Sequence, residues 1–202
     1  DTNRPVEMVS WNMITGPTGF LAGTGLRLPT EAEWEYTCRA GTTTAFHGFA
    51  GLPSGTNDDT IVGNIAWYSG NNGLPGALNS FTKPVGTRLA NGFGVHDMSG
   101  NLQEWVNDWY SETYYGTGPS TNPTGPATGT FRVLRGGAFG SLSSSLRSSF
   151  RFYLVPDDRN DFFGFRVARS PNAAVPTISS VSPVSGPIAG GTLCIMGGAV
   201  RE

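Results

Sequence analysis

Cysteine, histidine and charge are all scarce in this chain of 202 residues, and each scarcity removes a class of function. The two cysteines, Cys38 and Cys194, lie far apart and neither has a CxxC neighbour, which argues against a disulfide framework or a zinc site. Only two histidines are present, His47 and His96, and neither lies near the serine-rich stretch SLSSSLRSS at 141–149 that would otherwise invite a nucleophile reading. Charged residues make up 14% of the chain, with a net charge of −2 and a pI near 5.7. Such a balance gives no electrostatic footprint for nucleic acid or an anionic membrane surface. No hydrophobic run is long enough to span a bilayer, so direct membrane insertion is not expected. Also missing are GxSxG, HExxH and a phosphate-binding glycine loop.

Glycine and proline, in contrast, are plentiful at 29 and 14 residues. They punctuate regular structure and do not propagate it, which favours a loop-rich fold of short strands over a helix bundle. A hydrophobic content of 38%, with five Trp and twelve Phe, still supplies a core.

Local signals place the elements. PVEMVSW, Pro5 to Trp11, reads as a strand. In RLPTEAEWEYTCRAG, Thr30 is an N-cap and Glu33 completes a capping box, so 30–39 is expected to be helix with Gly41 as its stop. From 41 to 96 the chain reads mostly as loop. In GVHDMSGNLQEWVNDWY, Trp105 and Trp109 stand four apart, as on one face of a short helical turn. FRVLRGG, 131–137, is β-rich and ends at paired glycines. FGFRVAR, 163–169, alternates as a half-buried strand with Phe165 and Val167 on one face.

One stretch resists periodicity. RSSFRFYLVPDDRNDFFGFRVAR, 147–169, interleaves Arg147, Arg151, Arg159, Arg166 and Arg169 with Phe150, Phe152, Tyr153, Leu154, Phe162 and Phe163. Adjacent strand residues face opposite ways, so these apolar side chains are hard to bury together. In a structured loop they would form an exposed patch of the kind that marks binding sites. Tyr and Phe offer large contact area at low entropy cost, as in antibody paratopes. The arginines, each with five donors, are expected to tie loop carbonyls and carboxylates together and not to bind an anion, since Asp157, Asp158 and Asp161 are interleaved with them. In DMSGNLQEW, Asp97 and Glu104 with backbone carbonyls have the makings of a hard-cation site. After Arg169 the composition turns to Ser, Pro and Gly, and 170–202 reads as a linker into something else.

The motifs VSWN, RLPTEAEWEY, NIAWYSGN, PVGTRLANGFGVHDMSGNLQEWVNDWY, RVLRGGAF and GFRVAR occur in that order. Together they resemble the formylglycine-generating-enzyme/sulfatase-modifying-factor domain. The resemblance implies an α+β fold of the C-type-lectin-like kind over 1–169, in which the strands that usually open this domain are missing before Asp1. Catalytic members bind copper through a cysteine pair after the RGG motif. Here those positions fall on Ser141 and Leu146, which cannot replace thiolates. Related iron-dependent sulfoxide synthases use a His/Glu iron site, whose spacing His47 and His96 do not reproduce. No catalytic residue and no catalytic cofactor are therefore expected.

A second branch fits better. The chain resembles variable proteins of diversity-generating retroelements, whose variable region runs from RGG to GFRVAR, here 135–169. The fixed frame would be Arg135, Gly136, Gly137, Leu146, Arg147, Ser148, Arg151, Pro156, Asp157, Arg159, Gly164, Phe165 and Arg166. The ligand-binding positions would be Gly140, Ser141, Leu142, Ser144, Ser145, Phe150, Phe152, Tyr153, Leu154, Asp161, Phe162 and Phe163. The partner would be a protein or other surface ligand, with no nucleic acid. The family resemblance also places structural calcium at Asp97, Gly100, Leu102 and Glu104, and at Asn64, Ile65, Asn72 and Leu74. The tail VPTISSVSPVSGPIAGGT resembles the opening of an IPT/TIG module, which points to an extracellular surface or virion. Two alternatives stay open: an enzyme of this superfamily with a cysteine-independent site, and a purely structural surface module.

Overall fold

The computed structural model describes residues 3–73, 80–118, 121–170 and 195–196. The tail expectations for 171–194 and 197–202, and Cys194 and Leu74, lie outside the described residues. The structure has few helices, a small mixed sheet and long loops, an α+β architecture.

Four strands form the central sheet in the order β3-β2-β1-β4. They are β1 (Gln103–Trp109), β2 (Arg132–Arg135), β3 (Phe152–Leu154) and β4 (Phe163–Phe165). β2 runs antiparallel to both β1 and β3, whereas β4 is parallel to β1. Side chains alternate across a strand, and here both faces are covered. Trp105 and Leu134 join Val9, Ile14, Leu28 and Phe163 in one core cluster. Val106 and Val133 join Trp34, Cys38 and Met98 in another. A third cluster, off the sheet, holds Phe46, Val62, Ile65, Ala66 and Leu146.

Helix α2 (Glu31–Arg39) covers the second face, with Trp34 and Cys38 fully buried. Its start follows the sequence expectation: Thr30 Oγ1 accepts from the Glu33 N–H, and the Glu33 carboxylate accepts from the Thr30 N–H. Its end differs by one residue, because Ala40 takes the left-handed cap at φ 45° and Gly41 follows at φ 90°.

Three local expectations are corrected. Pro5 to Trp11 is not a strand: Ser10 caps the short helix α1 (Trp11–Thr15), its hydroxyl accepting from the Met13 N–H at 3.2 Å. Trp105 and Trp109 lie in β1 and not on a helical turn, since residues four apart share a face in a strand as well. FGFRVAR is not one alternating strand. Phe163, Gly164, Arg166, Val167 and Ala168 are all buried, and β4 gives way at Arg166 to the separate β5 (Val167–Ala168).

The capping box predicts a measurable cost. Thr30→Ala should lower stability by about 1 kcal/mol in urea unfolding, with an unchanged denaturant slope. No change would show that the cap is redundant.

Candidate ligand-binding face

The face is built outward from a buried arginine. Arg135, the last residue of β2, is fully buried. Its Nη1 donates to the Ser149 and Phe150 carbonyls at 3.1 and 2.6 Å. Its Nη2 donates to the Ser148 carbonyl at 2.7 Å and to the Glu35 carboxylate. One guanidinium thus serves three consecutive loop carbonyls that have no ladder partner. Gly136 and Gly137 follow at φ 91° and 67°, where a Cβ at Gly137 would meet the Ser145 carbonyl oxygen at 2.8 Å.

Several other frame residues are engaged in the same manner. Arg151 grips Glu31 through Nε to Oε1 at 2.7 Å and Nη2 to Oε2 at 2.8 Å. Arg166 grips Glu104 through Nε to Oε2 at 2.5 Å and Nη2 to Oε1 at 2.7 Å. Arg147 pairs with Asp59 at 3.3 Å. Ser148 is buried, and its N–H donates to the Ala45 carbonyl. Helix α1 holds the 156–159 turn, since the Asn12 N–H and Nδ2 reach the Pro156 carbonyl and the Asp157 carboxylate. The arginines therefore act as internal ties. Their carboxylate partners are distant in sequence, not the interleaved aspartates.

The expected binding positions divide. Leu142, Ser144, Phe152, Tyr153 and Asp161 are exposed, and Gly140, Ser141, Ser145, Phe150, Leu154 and Phe162 are half-buried. Ser141 is anchored, its Oγ accepting from the Ala138 N–H and its carbonyl accepting from Ser69. Phe163 is a correction: at 5% exposure it is a core residue, packed edge-on to Trp105, because β4 pairs beside β1 in the sheet and turns Phe163 to the face that holds Trp105. Phe162 stacks on the buried Phe139 at 4.7 Å. Among the described residues no ring contact joins it to Phe152 or Tyr153, so the apolar positions do not form a single cluster.

The aromatic centre is β3, at the edge of the sheet. Tyr153 stacks on Tyr110 at 3.9 Å and lies 5.3 Å from Phe131 and 6.4 Å from Phe152. Phe131, Phe152 and Tyr153 are 37%, 38% and 41% exposed, so this is surface and not core. The Arg151 guanidinium continues the strip, 4.7 Å from the Tyr110 ring and 5.3 Å from that of Tyr115. Sequence reasoning missed Tyr110, Tyr115 and Phe131. They lie outside 135–169, and nothing local marks them as neighbours of β3.

Residues 1–171 match the family described as Sulfatase-modifying factor enzyme 1-like domain. The chain belongs to this family. Over 178 residues it is 38% identical to a formylglycine-generating enzyme of Streptomyces coelicolor, a match covering 82% of this chain and 52% of that protein. It is 37% identical over 168 residues to the serine/threonine-protein kinase pkn1 of Chlamydia caviae, covering 82% of this chain and 24% of the kinase. The chain thus spans about half and about a quarter of these curated relatives. Among solved structures, Treponema denticola variable protein 1 matches with TM-score 0.67 and 27% identity over 82% of this chain and 70% of that one. PvdO from Pseudomonas aeruginosa matches with TM-score 0.62 and 30% identity over 82% and 61%.

As a sulfatase-modifying-factor domain, the chain has specific residues at the positions the resemblance assigns to copper-binding thiolates. Ser141 is a loop anchor, and Leu146 is fully buried in the third core cluster. Cys38 lies on the inner face of α2 and is fully buried. Burial pushes its thiol up to about 11, against the weaker opposing pull of the Ser148 hydroxyl.

The family's first calcium set fits a hard cation in part. Asp97, Leu102 and Glu104 line one cavity of about 140 Å³. Asp97 Oδ2 accepts from the Gly86 N–H at 2.7 Å, while Oδ1 is buried without a hydrogen bond. Burial raises the Asp97 carboxyl above its ordinary range, more than the Gly86 bond and the Arg166 charge lower it. Glu104 receives Arg166 and the Trp34 indole at 2.7 Å, which leaves about one of a carboxylate's four or so lone-pair sites open. Gly100 makes the turn at φ 75°, its Cα backed against the Trp67 carbonyl. The second set fits poorly. Asn64 donates to the Ile61 carbonyl and the Ile65 side chain is core. Asn72 offers only a buried Oδ1 without a partner. Among the described residues no three His, Cys, Asp or Glu side chains converge on a metal position, so any cation would depend on backbone carbonyls.

The burial of Cys38 yields a direct check. In a Cys194→Ser chain at mildly alkaline pH, a thiol reagent should leave Cys38 unmodified until denaturant is added. Rapid labelling of the folded protein would show an accessible thiolate.

Proposed function

We propose that this protein is a non-enzymatic ligand-binding protein of the variable-protein kind, in which a fixed frame presents exchangeable surface residues around the β3 edge. The observation that carries the reading is the partition of segment 135–169. Arg135, Arg147, Ser148, Arg151, Asp157 and Arg166 spend their polar groups on tying the segment to itself and to the rest of the fold. Leu142, Phe152, Tyr153 and Asp161 face solvent. Binding would come from burial of the Phe131, Phe152 and Tyr153 rings and the Leu142 side chain, with no covalent step. The structural likeness to Treponema denticola variable protein 1 supports the same assignment. Phe163 is excluded from the contact set by its burial.

The decisive observation is genomic. A near-copy of the DNA encoding 135–169, differing mainly at adenines and adjacent to a reverse transcriptase gene, is expected; an intact locus with neither would overturn the diversification. The surface itself is tested by substitution. Phe152→Ala with Tyr153→Ala should shift stability by less than about 1 kcal/mol, whereas Phe163→Ala should cost about 3–5 kcal/mol. Comparable large losses for both would make β3 core and remove the binding face.

A structural calcium ion held by Asp97 and Glu104, with the carbonyls of Gly100 and Leu102, belongs to the same reading. Calcium should raise the melting temperature relative to chelator, and Asp97→Ala should abolish the difference. Identical melting with and without calcium would remove the ion from the account.

A further inference from the structure

We propose that Asp108 is a positioning residue for the binding face: through Glu31 and Arg151, its charge state sets the arrangement of the Tyr110, Tyr115 and Tyr153 rings. The proposal takes the Tyr153 surface as the binding face, but the coupling is measured without a ligand, so the two readings fail separately.

Asp108 lies on β1 and is 1% exposed. Its Oδ2 accepts from the Glu31 N–H at 2.7 Å, at the first residue of α2, and its Oδ1 is buried without a hydrogen bond. The chain at Gly125 (φ 76°) closes over it, since a Cβ there would stand 2.9 Å from Oδ1. This is a carboxyl sealed from water with one oxygen unused. Such a group is costly to ionise.

The charged groups facing it come from three elements. Glu31 and Glu33 project from α2, Arg132 from β2, and the Tyr115 hydroxyl from the short helix at Tyr114–Thr117. Glu31 is itself 2% exposed and is shared by Arg151, by the Tyr115 hydroxyl at 3.3 Å and by Arg135 at 3.6 Å. Arg151 in turn anchors to the Ser111 carbonyl at 2.9 Å and lies over Tyr110, on which Tyr153 stacks. A continuous line of contacts therefore runs from Asp108 to the exposed ring.

Ionising Asp108 places a second carboxylate beside Glu31 in a dry setting, where charges interact far more strongly than in water. The cations shared by Glu31 must then redistribute. Protonation removes that demand. Burial, then the charges of Glu31 and Glu33, push the Asp108 carboxyl up to about 7, outweighing the Glu31 N–H and Arg132. The raised folded value fixes the sign of the linkage: the native state holds the proton more tightly than the unfolded chain. Stability from this group is full below the ordinary aspartate range and is lost as pH rises towards neutrality.

The test is a pH titration of the full chain by NMR from about pH 5 to about pH 9. It follows the Asp108 carboxyl carbon, the Arg151 Nε and the Tyr153 ring. A shared midpoint near neutrality is expected. Asp108→Asn should abolish it and leave the protein more stable above neutral pH. Glu31→Gln should leave Asp108 titrating, at a lower midpoint, while Arg151 and Tyr153 cease to follow. An Asp108 midpoint in the ordinary carboxylate range would overturn the proposal. So would an Asp108 transition near neutrality that Arg151 and Tyr153 do not share, a result readable on the unsubstituted chain even where a variant fails to fold.

Discussion

The Arg135 guanidinium is the interaction on which the rest of this structure depends. A loop that leaves the sheet at Gly136 and returns at Phe152 has backbone carbonyls with no strand to receive them, and buried carbonyls cannot be left unpaired. Arg135 supplies donors to three of them in succession and takes the Glu35 carboxylate as counterion. Removing Glu35 would leave Arg135, which water does not reach, with only the more distant Glu31 carboxylate at 3.6 Å, so the pair is costly to break from that side even where its net contribution is small.

The same device recurs with a consistent polarity. The carboxylates Glu31, Glu35 and Glu104 belong to α2 and β1, and the guanidiniums Arg135, Arg151 and Arg166 belong to β2 and the segment after it. Arginine suits this role because its planar fork meets carboxylates and carbonyls at fixed angles. The consequence is a separation of labour along the chain. Much of the backbone shape in 135–169 is set by these ties, and the exposed Leu142, Phe152 and Tyr153 side chains take no part in them. On the proposed reading, a surface organised in this way would tolerate substitution for a physical reason, independent of any history of diversification.

Part of this was legible in the sequence. The capping box at Thr30 and Glu33 is a local pattern with a local consequence, and the helix follows it to within a residue. The arginine ties were legible because the protein is slightly acidic and the segment has too many donors for its loops to ignore. Their partners were not, since Glu31 lies 120 residues from Arg151 and no spacing encodes that. Trp105 and Trp109 were misread because a four-residue interval fits both a strand and a helical turn. Phe163 was misread because its neighbour Phe162 is only half-buried, and two adjacent phenylalanines look alike until the sheet assigns one of them a buried face. Tyr110 and Phe131 joined the face only because β1 ends beside the start of β2.

Membership of the sulfatase-modifying-factor family shows the scaffold and not the chemistry, since one fold hosts unrelated activities. What this chain has done with the family's thiolate positions bears on which activity it retains. Leu146 is fully buried among Phe46, Val62 and Ile65, and Ser141 is held by the Ala138 N–H and by Ser69. A thiol at Leu146 would be desolvated as Cys38 is, with its pKa raised and its nucleophile suppressed. Restoring both sulfurs would therefore not restore a metal-binding pair unless the third core cluster also opened. The apolar packing that stabilises the frame thus works against thiolate chemistry here. On the proposed reading, the exposed aromatic strip beside that frame is what the fold would offer to a partner.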